Sequence, residues 1–132
     1  MKVIDTSVLV DLDRRTQEEK VEKLDSEGRH VISCVSVTEM FHGLRKQKIY
    51  EEEHLEMNDF LSRFNVKPVD WKVAKEASGI IHHLREEGKS LHDLHDVYIG
   101  ATALKEELPV LTLNESHFTR IDGLEAINWK DY

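Results

Sequence analysis

Residues 91–112, with the sequence LHDLHDVYIGATALKEELPVLT, contain a long stretch of apolar residues at helical spacing, then a proline and a short apolar run. The spacing predicts a helix over residues 91–108, because apolar side chains three or four positions apart share one helical face. Pro109 ends this helix, and residues 110–112 are predicted to form a buried strand. The apolar face consists of Leu94, Val97, Ala101 and Leu104, widened by Ile99 and Ala103.

The alternation of helical and strand-like segments extends along the rest of the chain. Other short apolar runs predict strands at residues 3–4, 30–35, 66–69 and 124–127. Apolar spacing predicts helices at residues 16–27, from residue 36 onward, and at residues 50–64 and 71–87. Because strands separated by helices need crossover connections, the sequence predicts one α/β domain over residues 1–132, with a parallel sheet of four to five strands and helices on its faces.

Four local features refine this prediction. Ser36 and Glu39 have the spacing of a capping box, which places a helix start at Ser36. Asp70 is placed to cap the helix that follows it. Residues 114–119 are predicted to be a polar connection. The inward face of the helix over residues 50–64 is predicted to be Leu55, Phe60 and Leu61.

The charge balance limits what this chain can bind. Its 18 Lys and Arg residues and 26 Asp and Glu residues give a formal net charge of −8. A broad basic nucleic-acid surface is excluded, because tight phosphate binding over a large area needs many cations. Any nucleic-acid role must therefore use local basic clusters or bound metal ions. Neither a signal peptide nor a membrane span is visible, so we expect a cytoplasmic protein with no membrane partner.

Oxygen-bearing side chains follow three of the predicted strands, at the positions where open α/β sheets bind ligands. Several carboxylates in one cleft repel one another unless a cation binds among them. Oxygen ligands of this kind select Mg²⁺ or Mn²⁺ over zinc. The residues are Asp5 after the first strand, Glu39 after the second, Asp93 and Asp96 at the start of the long helix, and Asn114 and Glu115 after the fourth strand.

Each of these residues also has a structural explanation. Asp5 can start an Asx-turn, and Glu39 can be the reciprocal partner of the capping box. Acids such as Asp93 and Asp96 are favoured near any helix N-terminus, and Asn114 tolerates a left-handed loop backbone. Their joint placement at strand exits and helix starts favours the metal interpretation.

Four parts of the sequence share their order and spacing with one known family. They are residues 3–9 (VIDTSVL), residues 36–40 (SVTEM) with 43–44 (GL), residues 96–104 (DVYIGATAL), and residues 111–114 (LTLN) with 117–118 (HF) and 121–124 (IDGL). Through them the chain resembles the PIN-domain nucleases, and within these the small VapC-type toxins of toxin–antitoxin pairs. The resemblance covers nearly the whole chain and implies a single three-layer PIN-like domain.

The resemblance also implies which residues form the site. Asp5, Glu39 and Asp96 correspond to a catalytic acidic triad that binds Mg²⁺ or Mn²⁺, as one or two ions. Asp93 is a further candidate ligand. It lies three residues before Asp96, so a helix would place both carboxylates on one stripe.

The chain departs from the family pattern at one position. Many members carry a fourth acid where this chain has His117. Asn114 or Glu115 is the alternative source of an oxygen ligand there. Thr6 and Ser7 are secondary candidates, because their hydroxyl groups follow Asp5 directly.

The activity that the resemblance implies is hydrolysis of RNA phosphodiester bonds by a divalent-metal-dependent endoribonuclease, acting as the toxin of a pair. Divalent ions in such a site lower the pKa of water and neutralise charge on the phosphate. The implied partners are the RNA substrate, an antitoxin protein and a second copy of the chain in a homodimer. Cationic residues that are candidates for RNA contact are Arg14, Arg15, Arg45, Lys46 and Lys48.

Three other interpretations stay open. A catalytically weakened PIN scaffold would bind RNA or an antitoxin without cleavage. His92, His95 and Asp96 would share a helix face in a zinc or iron site, although two histidines three apart lack the other ligands of the usual histidine-rich sites. A receiver-type domain or an aspartyl phosphatase fits less well, because each normally has a second acid close to the first, and Asp5 is followed by Thr6 and Ser7.

Overall fold

The computed structural model describes residues 1–14, 17–89 and 93–132, and within them five strands and seven α-helices follow one another. In chain order they are β1 (Val3–Ile4), α1 (Thr6–Arg14), α2 (Glu18–Ser26), β2 (Val31–Ser33), α3 (Cys34–Lys46), α4 (Tyr50–Leu61), β3 (Asn65–Lys67), α5 (Trp71–Glu86), α6 (Leu94–Glu106), β4 (Val110–Thr112), α7 (Glu115–Thr119) and β5 (Ala126–Asn128). A short 3-10 helix, Trp129–Asp131, follows β5.

All five strands lie in one parallel sheet with the order β3-β2-β1-β4-β5. Val3 of β1 pairs with Val31 on one side and with Val110 on the other. Because parallel strands end at the same edge of a sheet, this order brings together the residues that follow β1, β2 and β4. The predicted parallel sheet is confirmed, and it has five strands.

Consecutive residues of the three central strands point to opposite faces of the sheet, as the period of two in a strand requires. Val3, Val31 and Val110 pack on one face with residues of α5, α6 and α7. Ile4, Ile32 and Leu111 pack on the other face with residues of α1, α2, α3 and α4. The sheet is therefore the middle of three layers, which confirms the predicted architecture.

The pairing of α5 with α6 depends on Asp70 at the start of α5. Its Oδ1 atom accepts a hydrogen bond from the Val73 N–H at 2.9 Å, so the predicted helix cap is confirmed. Its Oδ2 atom accepts from Nζ of Lys105, near the end of α6, at 2.7 Å. The hydrogen bond from Lys105, together with that from the Val73 N–H, holds the pKa of Asp70 below its ordinary value. The start of α5 thus lies beside the end of α6, and the start of α6 lies at the opposite end of this pair.

Two predictions at the start of α3 are wrong. The second strand ends at Ser33, and α3 starts two residues before the predicted position. Ser33 is the helix cap, because its hydroxyl accepts from the Val35 N–H at 3.1 Å. Ser36 lies inside the helix and is fully buried, so the predicted capping box of Ser36 and Glu39 does not form. Ser33 and Ser36 have the same capping chemistry and lie three residues apart. The capping-box spacing indicated Ser36, whereas Ser33 is the cap.

Two short helices were not predicted. The polar residues after β1 begin α1, whose apolar residues Val8, Leu9 and Leu12 are buried at helical spacing. The segment predicted as a polar connection, residues 114–119, contains α7, which has the fully buried Phe118. Because both helices are short, few apolar residues mark the buried face of each in the sequence.

In α4 the predicted inward face is partly wrong. The helix ends at Leu61, and Leu55 is 67% exposed, whereas Met57 is buried. Met57 and Leu61 lie four residues apart on the inner face, and Leu55 is about 200° around the helix from Met57 at 3.6 residues per turn. Leu55 therefore faces outward, while Phe60 is partly buried against the core.

The remaining predicted elements are present with shifted ends. The helices predicted at residues 16–27 and 91–108 correspond to α2 and α6, while residues 16, 91 and 92 lie outside the described part of the chain. The strands predicted at 66–69 and 124–127 correspond to β3 and β5. Among the described residues, no helix is long and apolar enough to cross a bilayer.

Candidate functional site

Asp5 lies at the centre of the sheet's carboxyl edge, directly after β1. Its backbone carbonyl accepts from the N–H groups of Val8 and Leu9, which makes Asp5 the start of α1. The residue is only 2% exposed. Its Oδ2 atom accepts hydrogen bonds from Ser7 Oγ at 2.7 Å and Thr112 Oγ1 at 2.8 Å. The hydrogen bonds that the described residues make to this carboxylate all go to Oδ2, so Oδ1 is the oxygen available to a ligand.

Asp96 approaches the same edge from the first turn of α6 and is 7% exposed. Burial raises the pKa of this carboxyl, because removal from water disfavours the charged form. A hydrogen bond with His117 opposes that rise, and the negative charges of Asp5 and Asp93 add to it. The acids therefore lie close enough for their charges to repel one another. A cation bound among them would relieve both the burial and the repulsion.

Glu39, in the second turn of α3, is held by α1. One of its oxygens, Oε1, accepts from Thr6 Oγ1 at 2.8 Å, and the Thr6 and Ser36 hydroxyls hydrogen-bond each other at 2.9 Å. Its other oxygen, Oε2, lies 3.3 Å from Nδ1 of His95. The Glu39 carboxylate therefore faces the start of α1 and the start of α6, and it does not fold back to cap its own helix.

Asp93 differs from its predicted placement on the stripe of Asp96. It precedes α6 as the helix cap, with an extended backbone, and its Oδ1 atom accepts from the His95 N–H at 2.8 Å. One ligand atom each from Glu39, Asp93 and His95 lie within 4.8 Å of one another. Asp93 thus lies between two groups: its carboxylate is close to Glu39, and its charge acts on Asp96.

In the segment after β4, the residue that contacts an acid of the site is His117. Its Nδ1 atom lies 2.8 Å from Asp96 Oδ2. Asn114 is exposed, and its N–H donates to Thr112 Oγ1 at 2.9 Å. Glu115 is partly exposed at the first position of α7. The structure thus places the imidazole of His117 at the acidic site.

The donor set fits a divalent metal ion. Burial and the charges of Asp5 and Asp93 act together on Asp96, and Glu39, Asp93 and His95 each bring one ligand atom within 4.8 Å of the others. At Asp5 and at Asp96 the hydrogen bonds from the described residues go to one of the two carboxylate oxygens. Four carboxylates, from Asp5, Glu39, Asp93 and Asp96, carry more negative charge than the nearby histidines balance. Oxygen-rich sites of this charge are typical of hard cations.

Of the basic candidates, Arg14 is exposed at the end of α1, and Arg45, Lys46 and Lys48 are exposed at or just after the end of α3. Arg45 lies over the Tyr50 ring, 3.7 Å from its centroid. It follows Glu39 by six residues, about 9 Å along a helix axis. Arg15 lies outside the described residues. Arg45 thus lies about 1.7 helical turns from Glu39, and Arg14 follows Asp5 by nine residues, about 2.5 turns.

The zinc or iron interpretation receives no support from the placement of its residues. His92 lies outside the described residues. His95 is next to Glu39 and Asp93, whereas Asp96 contacts His117. His95 and Asp96, the two described residues of this predicted helix-face site, thus contact different side chains.

Sequence reasoning missed two side chains that hold the acids. Thr112 ends β4 and donates to Asp5; a polar residue closing a buried strand was the available signal. The family pattern singles out position 117 only as the place of an acid that this chain lacks, and no local pattern indicates that His117 contacts Asp96, 21 positions away. Ser7, a secondary candidate, donates a hydrogen bond to Asp5.

Comparison with known proteins gives the same family as the sequence motifs. A model described as PIN domain matches residues 2–124. Ribonuclease VapC2 of Haemophilus influenzae is 27% identical over 128 residues, which cover 96% of each chain. Ribonuclease VapC1 of Methanocaldococcus jannaschii is 29% identical over 119 residues, covering 90% of this chain and 79% of that protein. A crystal structure of DNA-bound VapBC from Salmonella typhimurium superposes with a TM-score of 0.88, at 25% identity and 98% coverage of both chains. The chain belongs to the PIN domain family.

Proposed function

We propose that this protein is a divalent-metal-dependent endoribonuclease that acts as the toxin of a toxin–antitoxin pair. The observation that carries the proposal is the placement of the buried acids Asp5 and Asp96 at the carboxyl edge of the sheet, where burial raises the pKa of Asp96 and the charge of Asp5 adds to that rise. The similarity to proteins named VapC ribonucleases supports the choice of RNA as the substrate. The similarity to a VapBC complex supports an antitoxin partner.

In this proposal Asp5, Glu39 and Asp96 are catalytic residues that hold one or two Mg²⁺ or Mn²⁺ ions, and Asp93 is an additional ligand. When bound, a divalent cation stabilises the negative charge that develops on the phosphodiester and lowers the pKa of water. The protein's contribution is to hold the carboxylates in place. Ser7 and Thr112 do this for Asp5 through their hydroxyl groups.

Three further residues have secondary roles in this proposal. Thr6 orients Glu39 through a hydrogen bond of 2.8 Å. Asn114 and Glu115, at the start of α7, are candidates for an additional oxygen ligand or for contact with the substrate. In the hydrolysis, a water molecule releases a proton to the solvent as its oxygen bonds to phosphorus, the bond from phosphorus to the leaving oxygen breaks, and the leaving oxygen gains a proton.

RNA binding by a chain with a net charge of −8 needs local cations. We assign this role to Arg14, the last residue of α1, to Arg15, the next residue in the sequence, and to Arg45, Lys46 and Lys48, which lie at or just after the end of α3. The described cations thus lie at the far ends of the two helices that carry Thr6 in the first turn and Glu39 in the second, so a strand of RNA lying along these helices would reach the acids. We further propose a cytoplasmic homodimer whose acidic site is covered by the antitoxin.

An RNA cleavage assay tests the proposal. The purified protein is incubated with RNA in Mg²⁺, in Mn²⁺ and in chelator, beside Asp96→Asn, Asp5→Asn and the control Asp122→Asn, which removes an exposed acid. We expect metal-dependent cleavage that falls at least about 100-fold in the two site variants, the loss expected when a few kcal/mol of charge stabilisation are removed. The control variant should cleave like the wild type.

Two outcomes would count against the proposal. Cleavage in chelator that equals cleavage in Mg²⁺ would exclude a metal-dependent mechanism. Metal binding without cleavage of any RNA would favour the alternative of a weakened PIN scaffold that binds RNA or an antitoxin. The observation that favours this alternative is that His117 takes the place of the fourth acid of the family pattern.

A further inference from the structure

His117 and Asp96 form a side-chain contact that the proposed hydrolysis does not by itself explain. Nδ1 of the imidazole lies 2.8 Å from Oδ2 of the carboxylate. A contact this short needs a proton between the two atoms, and an ionised carboxylate has none to give. With Asp96 ionised, the imidazole Nδ1–H therefore donates and Asp96 Oδ2 accepts.

The backbone of His117 is fixed from several sides. Its N–H donates to the Asn114 carbonyl at 3.0 Å, and its carbonyl accepts from Arg120 Nε at 3.1 Å. The next residue of α7, Phe118, is fully buried in the core that also contains residues of α5 and α6. The imidazole thus extends from a rigid part of the fold, which is what a group that orients another side chain requires.

The arrangement at Asp96 parallels the arrangement at Asp5. In each carboxylate the described residues hold Oδ2 by hydrogen bonds, two from the Ser7 and Thr112 hydroxyls in one case and one from the imidazole in the other. In each the other oxygen has no hydrogen bond from the described residues. Outer groups that hold a metal-binding carboxylate in this way typically contribute 10–100-fold to metal affinity.

We propose that His117 is a positioning residue of the metal centre, which holds Asp96 by Oδ2 and leaves Oδ1 available for the cation. This assignment rests on the proposed function, because it requires that Asp96 binds a metal ion. It gives His117 a role through Asp96, and it places no imidazole nitrogen on the ion. Loss of the Nδ1–H donor should therefore weaken metal binding, and another donor at the same place should restore it.

The test measures Mn²⁺ binding to the metal-free full chain by isothermal titration calorimetry, independently of RNA cleavage. We expect His117→Ala to weaken binding by about 10- to 100-fold. His117→Asn should stay within about threefold of the wild type, because its amide N–H₂ can occupy nearly the position of Nδ1. His117→Leu is a second variant without a donor, in case the alanine variant is poorly folded, and thermal melts check folding.

A matched control is available on α5. His83 is also paired with a carboxylate, Glu87, at 3.0 Å, and its side chain is 46% exposed against 42% for His117. His83→Gln should bind Mn²⁺ like the wild type. Asp96→Asn, measured in the same way, should abolish or severely weaken binding.

The outcomes separate the two proposals. If Asp96→Asn loses binding but His117→Ala and His117→Leu bind like the wild type, the positioning role is wrong and the metal centre stands. Equal weakening in His117→Ala and His117→Asn would also overturn it, since the imidazole itself would then be required. If the wild type binds no Mn²⁺, or Asp96→Asn binds as well as the wild type, the metal centre is wrong and both proposals fail.

Discussion

At the scale of single residues, burying the acids of the site close to one another lowers the stability of the folded chain. Asp96 is buried close to Asp5 and Asp93, and burial together with their charges raises its pKa. The helix N-termini at which Asp5 and Asp96 lie offset part of this cost, because the positive end of each helix dipole favours a carboxylate. In the metal-free chain the Asp96 carboxylate therefore lowers stability, a cost that a cation bound among the acids would relieve.

The first prediction is that Asp96→Asn is more stable than the wild type at neutral pH when no metal is present. The raised pKa means that the folded chain keeps the Asp96 proton to a higher pH than the unfolded chain does. Wild-type stability therefore falls as pH rises from the ordinary Asp value of 3.8 through the raised folded value. The side chain introduced by Asp96→Asn does not titrate. The stability advantage of the variant over the wild type should therefore grow as pH rises through that range.

Urea unfolding in chelator, at several pH values from 3.5 to about 7.5, measures the difference in the free energy of unfolding between the two proteins. Midpoints are compared where the free energy of unfolding of both proteins depends on urea concentration with the same slope. The two proteins should have similar midpoints at the acid end, and the variant should have the higher midpoint at the neutral end. A wild type that is the more stable protein at neutral pH would contradict this account of Asp96.

At the scale of elements, the distance between α6 and the segment that carries α7 depends on Gly100. A Cβ atom at this position would lie 2.7 Å from Cδ1 of the buried Ile121, closer than packed carbon atoms approach. The next nearest side chain, Leu124, would be at an ordinary contact distance of 3.5 Å. The missing side chain at Gly100 therefore lets α6 and α7 lie close together, which brings Asp96 to His117.

The second prediction concerns the coupling between these two positions. Gly100→Ala gains about 1 kcal/mol of helix propensity but forces Ile121 to move, and overpacking of a core typically costs about 1–3 kcal/mol. Ile121→Val removes the Cδ1 atom that the new methyl group would meet. In that background Gly100→Ala should be stabilising, so the double variant should be more stable than the sum of the single changes by about 1 kcal/mol or more.

Urea unfolding of the four proteins in this double-mutant cycle measures the coupling energy. Gly79→Ala is the control, because nothing lies within 4 Å of the Cβ position at this helical glycine. It should add stability by propensity alone, with no dependence on residue 121. An additive cycle for Gly100 and Ile121 would show that α6 and α7 are not in tight contact there.

At the scale of the whole molecule, the sequence predicts the order of elements and the layer architecture better than it predicts contacts within the site. The parallel sheet follows from alternating segments, and the closeness of β1 to β4 places Asp5 and Asp96 at one edge. The contact between His117 and Asp96 joins a partly exposed five-residue helix to a mostly buried one, and no periodicity predicts it. The start of α3 was missed for a local reason, since Ser33 and Ser36 cap equally well by composition.

The distribution of charge gives the third prediction, which concerns the folded molecule as a whole. The chain carries a net charge of −8, and part of it is concentrated at the carboxyl edge of the sheet. General screening by salt weakens repulsion among exposed acids everywhere, whereas a bound divalent ion acts only on the site. Mg²⁺ should therefore raise the melting temperature more than NaCl does at equal ionic strength.

At a free Mg²⁺ concentration ten times the dissociation constant, binding to the folded chain alone adds about 1.4 kcal/mol, which corresponds to roughly 5 °C for a chain of this size. Asp5→Asn combined with Asp96→Asn should lose this difference between the two salts. Asp59→Asn combined with Asp122→Asn, which removes two exposed acids and gives the same net charge, should keep it. An equal loss in both double variants would mean that Mg²⁺ stabilises the chain by screening its overall charge, because only a site-bound ion distinguishes the two pairs of acids.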